Sequence, residues 1–172
     1  AWNVWNFRRN LLVRLLEEGH DVSVLAPSSD SVNKIEALGA RFVPLEVSSG
    51  GMNPFEALTI FRRSLRWFQQ QRPDVVLSYT VKNNVFCGLA AAALGIPFIA
   101  NITGLGTAFL SGKFTKGLAV YLYKVSLQRM EVVYFQNEDD RKEFIKLGIV
   151  NEEQTKRLPG SGVDLDHFTP AE

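Results

Sequence analysis

Residues 73–104 read PDVVLSYTVKNNVFCGLAAAALGIPFIANITG, and this stretch decides the fold. Two apolar runs, Asp74–Tyr79 and Pro97–Ile102, have the continuous character of strands that are buried on both faces. Between them lies a segment of small residues, Asn83–Leu94, which ends at Gly95 and is typical of a helix. A helix between two buried strands predicts a βαβ unit, because parallel strands need a crossover connection.

The alternation of strands and helices continues on both sides of this stretch. Strand-like runs occur at His20–Ala26, Arg41–Val47, Val132–Gln136 and Thr155–Leu158. Helical periodicity is found in residues 4–15, Asp30–Leu38, Pro54–Gln71, Thr115–Arg129 and Glu138–Leu147. Asp30 is expected to cap its helix, and the Pro54 helix has an apolar side made of Phe55, Leu58, Phe61, Leu65 and Phe68. This pattern predicts an α/β fold with a doubly wound, mostly parallel, Rossmann-like sheet.

The composition excludes several classes of protein. Of 172 residues, 46% are hydrophobic and 22% are charged, which is ordinary for a globular domain and unlike a disordered chain. One cysteine and two histidines, His20 and His167, are too few for a disulfide framework or a cysteine-rich zinc site, so we expect no metal. Residues 83–112 carry no charge, but Gly95, Pro97 and later glycines interrupt the run, so no membrane-spanning helix is predicted. We also expect no nucleic-acid partner.

The net charge of +1 conceals an uneven distribution of basic residues. Between Ala57 and Met130, nine lysines and arginines oppose one acidic residue, Asp74, which leaves an excess of eight positive charges. Two basic clusters lie beside aromatic residues: Arg62, Arg63 and Arg66 near Trp67, and Lys113, Lys116 and Lys124 near Phe114 and Tyr121. They suit an anionic membrane surface or a phosphate-bearing partner, although solvated helix faces would explain them equally well. We favour the second cluster as the membrane contact, because it follows the glycine-rich turn at residues 104–106.

Ligands in open α/β sheets bind beyond the carboxyl ends of the strands. Four predicted loops start at such ends: residues 80–84, 103–109, 137–140 and 159–164. In the first loop, Lys82, Asn83 and Asn84 precede a helix N-terminus. Free N–H groups, the helix dipole and an ammonium would together bind a phosphate there. Asn83 could equally serve as the helix cap.

The other loops carry weaker signals. Gly104 and Gly106 follow a strand, but Phe109 occupies the third position of a dinucleotide fingerprint. A tight turn that lets the backbone approach a ligand is therefore the better interpretation. Glu138 is the first of three acidic residues that open a helix, where carboxylates complement the dipole. A general base at Glu138 is the alternative.

Several short motifs in combination resemble a known family. They are Asn6–Arg8, Glu18–Val22 with Ala26-Pro27, Pro73–Val76, Ser78–Asn84, Gly95–Pro97, Ile102–Gly106, Phe135–Glu138, Leu147-Gly148 and Pro159–Asp164. The chain resembles the retaining family 4 glycosyltransferases. Within them it is similar to bacterial enzymes of surface-polysaccharide assembly, which extend undecaprenyl-diphosphate-linked sugars during capsule, O-antigen or glycoprotein glycan synthesis. The resemblance covers essentially the whole chain.

The resemblance implies the GT-B arrangement, in which two Rossmann domains enclose the active site. Residues 1–160 would form the N-terminal, acceptor-binding domain, and residues 161–172 would begin the linker to a missing C-terminal, donor-binding domain. A first strand would precede Ala1, so we expect a gap or a substitute strand between the strands that start near Asp21 and Asp74. The donor would be a UDP-sugar or another nucleotide sugar, with no tightly bound cofactor. The fragment alone would be inactive.

The resemblance also implies roles for individual residues. Arg8, Lys82, Asn83 and Asn84 would bind the acceptor diphosphate, Thr103, Gly104 and Gly106 would line the acceptor sugar pocket, Gly162 and Asp164 would border the donor diphosphate, and Glu138 would lie in the cleft. Transfer with retention would occur at the front face of the sugar, assisted by the leaving diphosphate, without a protein nucleophile. The enzyme would be cytoplasmic and peripheral on the inner face of the cell membrane. A sugar-nucleotide epimerase half and a non-catalytic flavodoxin-like module are the alternatives.

Overall fold

A computed structural model describes residues 1–47, 53–105, 113–128 and 130–162, without the side chains of residues 113–115. These residues form two compact units, which are described separately. The first contains residues 1–47 together with residues 161 and 162, and the second lies within Ser48–Gly160. Across the described part of the chain, no helix is long and apolar enough to cross a lipid bilayer.

The described residues of the first unit form two helices and two short parallel strands. In chain order these are α1 (Trp2–Glu17), β1 (Ser23–Ala26), α2 (Val32–Ala37) and β2 (Arg41–Pro44). The strands pair in parallel, and Leu12, Val24 and Ile35 are buried together in one apolar cluster. The predicted cap of α2 is wrong. Ser31, rather than Asp30, precedes the first helical residue, and its side chain makes no capping hydrogen bond.

The described residues of the second unit form a four-stranded parallel sheet and four helices. Its elements are α3 (Pro54–Gln71), β3 (Val76–Tyr79), α4 (Val81–Leu94), β4 (Phe98–Ile102), α5 (Lys113–Leu127), β5 (Val133–Phe135), α6 (Glu138–Lys146), a 3-10 turn (Glu152–Gln154) and β6 (Thr155–Arg157). The strand order is β3-β4-β5-β6, so each strand lies beside the one that precedes it in the chain. Right-handed crossovers then put α4, α5 and α6 on one face of the sheet. Helix α4 packs against β3, β4, α3 and α5.

The apolar side of α3 differs from the prediction. Ile60, Ser64 and Phe68 are its buried residues, whereas Phe55 and Leu58 are exposed. The physical reason is that α3 packs mainly against one helix, α4, so only a narrow stripe of its surface is buried, and this stripe includes one serine. The first turn of α3 therefore presents large apolar side chains to solvent.

The α/β class and the parallel pairing are confirmed, but the ends of several elements differ from the prediction. Strands β1 and β3 begin at Ser23 and Val76, later than expected, because only the segment that faces its neighbour is paired. Helix α4 begins at Val81, so Lys82 and Asn83 lie in its first turn rather than ahead of it. The described strands form two separate sheets, β1-β2 and β3-β4-β5-β6.

Candidate functional site

The four parallel strands of the second unit bring several loops to one edge of the sheet. Because β3, β4, β5 and β6 run in the same direction, their carboxyl ends lie at the same edge. Thr80 follows β3, Thr103 follows β4, Asn137 follows β5 and Leu158 follows β6. This is the edge at which α/β proteins bind ligands, so the candidate site is described from it.

The turn from β3 into α4 is strained at Thr80. This residue stands immediately before α4 with φ 76° and ψ 148°, and its side chain makes no capping hydrogen bond. Such a conformation costs a residue with a β-carbon about 1–3 kcal/mol, and a β-branched residue adopts it rarely. The strained turn aims the first turn of α4, with its N–H groups and the positive end of its dipole, at the carboxyl edge of the sheet.

Lys82 lies in this first turn and is held by an ion pair that local sequence patterns did not indicate. Its Nζ is 3.0 Å from Oε2 of Glu56, which belongs to the first turn of α3. Both side chains are only 16% exposed. Lys82, for which phosphate binding was predicted, thus lies at the helix N-terminus in a partly desolvated position. Its partner Glu56 was not among the residues that the sequence analysis singled out.

The two asparagines that follow Lys82 are not equivalent. Asn83 is partly exposed, whereas Asn84 is 1% exposed and donates a hydrogen bond from Nδ2 to the Asn101 carbonyl oxygen at 3.0 Å. Asn84 therefore fastens α4 to β4 from inside and does not present its amide to the surface, which differs from the predicted contact with a ligand. The Oδ1 atoms of Asn83, Asn84 and Asn101 are buried and accept no hydrogen bond from the described residues.

The turn after β4 begins with an exposed residue. Thr103 is exposed and Gly104 is half-buried, and a β-carbon added at Gly104 would meet no atom within 4 Å among the described residues. The acceptor pocket at this turn stays a prediction. Gly106 lies outside the described residues, and so does Asp164 of the predicted donor pair. Gly162 is exposed, with φ 73°, and belongs to the first unit.

Glu138, the candidate base, is part of a network that ties α6 to β6. Its Oε1 accepts a hydrogen bond from Arg141 at 2.9 Å, and the carboxylate raises the pKa of that guanidinium. Arg141 also donates to Thr155 Oγ1 at 2.7 Å and pairs with Glu152 at 3.2 Å. The contacts therefore favour the structural interpretation of Glu138 over general base catalysis.

The remaining predicted contact residues lie in several places. Arg8 is half-buried in α1 of the first unit, where Nη1 donates to the Phe7 carbonyl oxygen at 2.7 Å. The first basic cluster is exposed in the second unit, at Arg62, Arg63 and Arg66. In the second basic cluster, Lys124 is exposed. Lys116 pairs with Glu143 at 3.2 Å, so its charge is offset. The side chain of Lys113 lies outside the described residues.

Exposed apolar side chains accompany these charges on the same helices. On α3, Phe55 is 81% exposed and Leu58 is 46% exposed. On α5, Leu118, Tyr121 and Val125 are exposed at helical spacing along one side. No group of three potential metal-ligating side chains lies together among the residues that the structure describes.

Comparison with known proteins identifies the family of the chain. A family model described as a glycosyl transferase 4-like domain matches residues 4–169. The chain belongs to the glycosyl transferase 4-like family. A curated relative of this glycosyl transferase 4-like chain comes from Campylobacter jejuni. It is the N,N'-diacetylbacillosaminyl-diphospho-undecaprenol alpha-1,3-N-acetylgalactosaminyltransferase, with 27% identity over 98% of this chain and 46% of its own length. The chain thus spans about half the length of that relative.

Two solved structures share the fold of the glycosyl transferase 4-like chain. MurG from Acinetobacter baumannii matches with a TM-score of 0.55 and 17% identity, over 92% of this chain and 42% of its own. The UDP-GlcNAc 2-epimerase from Methanocaldococcus jannaschii matches with a TM-score of 0.57 and 14% identity, over 88% of this chain and 41% of its own. The fold alone therefore does not distinguish sugar transfer from epimerisation.

Proposed function

We propose that this chain is the acceptor-binding half of a glycosyltransferase that moves a sugar from a nucleotide sugar to a glycan on a lipid diphosphate. The observation that carries the proposal is the acceptor named for the Campylobacter relative, a sugar on diphospho-undecaprenol, together with an alignment across nearly the whole of this chain. The site supports it, because a shielded lysine at a helix N-terminus suits a diphosphate.

The acceptor diphosphate would bind at the first turn of α4. Lys82 would donate charge-assisted hydrogen bonds to it, and Asn83 would contact the same group, while Asn84 would hold the turn in place from inside. The turn at Thr103 and Gly104, continued by Gly106, would line the pocket for the acceptor sugar. Gly162 and Asp164 would border the donor diphosphate.

The reaction would proceed with retention at the anomeric carbon. The acceptor hydroxyl oxygen forms a bond to that carbon while the bond from the carbon to the nucleotide diphosphate breaks, and the hydroxyl proton passes to the leaving diphosphate. No protein nucleophile or metal is needed for this balance. A UDP-sugar is the proposed donor, and the product would enter capsule, O-antigen or glycoprotein glycan synthesis. Most donor contacts would come from a second domain of the same polypeptide.

The same protein would work at the cytoplasmic face of the cell membrane, because a polyprenyl acceptor stays in the bilayer. Exposed arginines at positions 62, 63 and 66, with Phe55 and Leu58 on the same helix, support contact with an anionic lipid surface. Lys113, Lys116 and Lys124 would contribute to a second contact on α5.

Kinetics of the full-length enzyme with Lys82→Ala would test the acceptor site. A charge-assisted hydrogen bond contributes about 1.5–3 kcal/mol, so the acceptor KM should rise by roughly 10- to 150-fold. The KM for the nucleotide sugar should stay near that of the wild type. Lys142→Ala removes an exposed lysine from α6 and is the matched control. An acceptor KM within about twofold of wild type for Lys82→Ala would refute the assignment.

A sugar-nucleotide epimerase half is the second candidate, and the similar fit to a solved epimerase favours it as an alternative. The two functions differ in their products. A glycosyltransferase gives a free nucleotide diphosphate and an extended lipid-linked glycan, whereas an epimerase gives an isomeric nucleotide sugar without any acceptor. Incubation with a UDP-sugar, with and without a lipid-diphosphate acceptor, would separate them. Isomerisation without acceptor would exclude transferase function.

A further inference from the structure

The ion pair between Lys82 and Glu56 is well shielded from solvent. Its two side chains are each 16% exposed, whereas Lys116 and Glu143 are 38% and 29% exposed. The pair also joins the first turns of two helices that pack on each other, α3 and α4. Glu56 thus contacts the candidate ligand-binding cation directly, from an element that contributes no other residue to the site.

Helix electrostatics explain why Lys82 needs this partner. A cation in the first turn of α4 faces the positive end of that helix dipole, which disfavours it there. Lysine has a long and flexible side chain, and an unpaired ammonium would extend into water. A carboxylate in the first turn of α3 is favoured by the dipole of its own helix. Glu56 can therefore hold the ammonium at the α4 N-terminus.

We propose that Glu56 is a positioning residue for the binding of a lipid diphosphate by Lys82. This inference rests on the proposed function. Glu56 keeps the ammonium beside the N–H groups of α4, so that both kinds of donor meet the same phosphate oxygens. An ammonium carries three N–H donors and can serve a carboxylate and a phosphate together.

Removal of Glu56 distinguishes a carboxylate that positions Lys82 from one that competes with the phosphate for it. A carboxylate that only competed with the phosphate would weaken binding, and its removal would strengthen it. A positioning carboxylate gives the opposite sign, because its removal lets Lys82 move away. The glutamine variant separates geometry from charge, since its amide oxygen still accepts a hydrogen bond from Nζ.

Binding of farnesyl diphosphate to the full-length enzyme, measured by titration calorimetry, provides the test. Lys82→Ala should weaken binding by about tenfold or more, as expected for a lost charge-assisted hydrogen bond. Glu56→Ala should weaken it by about five- to tenfold, and Glu56→Gln by no more than about threefold, in the range of coupled neighbours. The double variant should match Lys82→Ala alone, because Glu56 acts through Lys82. The affinity for the UDP-sugar should not change in any variant.

Glu143→Ala, which breaks the pair with Lys116, is the control for loss of an inter-helix ion pair and should bind farnesyl diphosphate as the wild type does. If Glu56→Ala does not fold, Glu56→Asp shortens the side chain by one methylene and should weaken binding severalfold. Unchanged or tighter binding in Glu56→Ala, or in Glu56→Asp if the alanine variant does not fold, with weaker binding in Lys82→Ala, would overturn the inference and leave the proposed function intact. Unchanged binding in Lys82→Ala would remove the proposed site, and the role of Glu56 with it.

Discussion

Replacing Arg62, Arg63 and Arg66 together by glutamine should release the protein from anionic membranes. All three side chains are exposed on α3. A basic residue near an anionic lipid surface contributes about 1 kcal/mol, so the triple variant should lose about 3 kcal/mol, or roughly 150-fold in vesicle affinity. The attraction is screened by salt, so high ionic strength should produce a similar loss in the wild type.

The second basic cluster should matter less than the sequence analysis predicts. Lys116 is paired with Glu143, which offsets its charge, and Lys124 is exposed. Lys124→Gln should therefore cost about 1 kcal/mol, or roughly fivefold in affinity. Lys116→Gln should have a smaller effect than Lys124→Gln.

Sedimentation of the full-length protein with phosphatidylglycerol vesicles and with phosphatidylcholine vesicles would measure these differences. Phe55→Ser measures the apolar contribution to vesicle binding separately from the electrostatic one, because the Phe55 ring is 81% exposed and carries no charge. Equal sedimentation with both kinds of vesicle would refute electrostatic attachment. A larger loss from Lys116→Gln than from the triple arginine variant would refute the ranking of the two clusters.

Three further predictions concern the interior and the strained turn. Burial raises the pKa of the Cys87 thiol to about 11 from an ordinary 9.0, so alkylation at about pH 8 should be far slower in the native protein than in urea. The pKa of this thiol is higher in the folded protein than in the unfolded chain, so its contribution to stability is complete below pH 9 and is lost as the pH rises towards 11. Midpoints of urea unfolding measured across that pH range should therefore fall. Phe144→Ala should lower the free energy of unfolding by about 3–5 kcal/mol in urea titrations, since its fully buried ring packs edge-on against Tyr123 and Phe135. Thr80→Gly should raise the thermal midpoint by relieving a positive φ worth about 1 kcal/mol or more, whereas Thr80→Ala, which keeps a β-carbon, should not.

Periodicity and helix-ending residues predicted the order of strands and helices in this chain. The helix that begins at Pro54 and ends at Gln71 matches its predicted bounds, because a proline at the first helical position is a local signal. The cluster of Lys82 with Asn83 at a helix N-terminus was also visible, since it depends on a few neighbouring residues.

Tertiary contacts account for what the sequence did not reveal. Asn83 and Asn84 look alike in the sequence, and only the phase of α4 against β4 buries one of them. Glu56 precedes Lys82 by a whole helix and a strand, so no local pattern connects the two residues. The exposure of Phe55 likewise depends on which side of α3 meets α4. These features depend on packing between elements, which hydrophobic spacing within one element does not predict.

The strand order of the four-stranded sheet has a consequence for how the second unit folds during its synthesis. Each of β4, β5 and β6 pairs with the strand that precedes it in the chain, so every pairing closes a loop of moderate length that includes a helix. Loops of this kind carry a modest entropic cost, and contacts of low sequence separation favour rapid folding. During synthesis the sheet can grow by one strand at a time, in the order in which the ribosome releases them, without waiting for the end of the polypeptide.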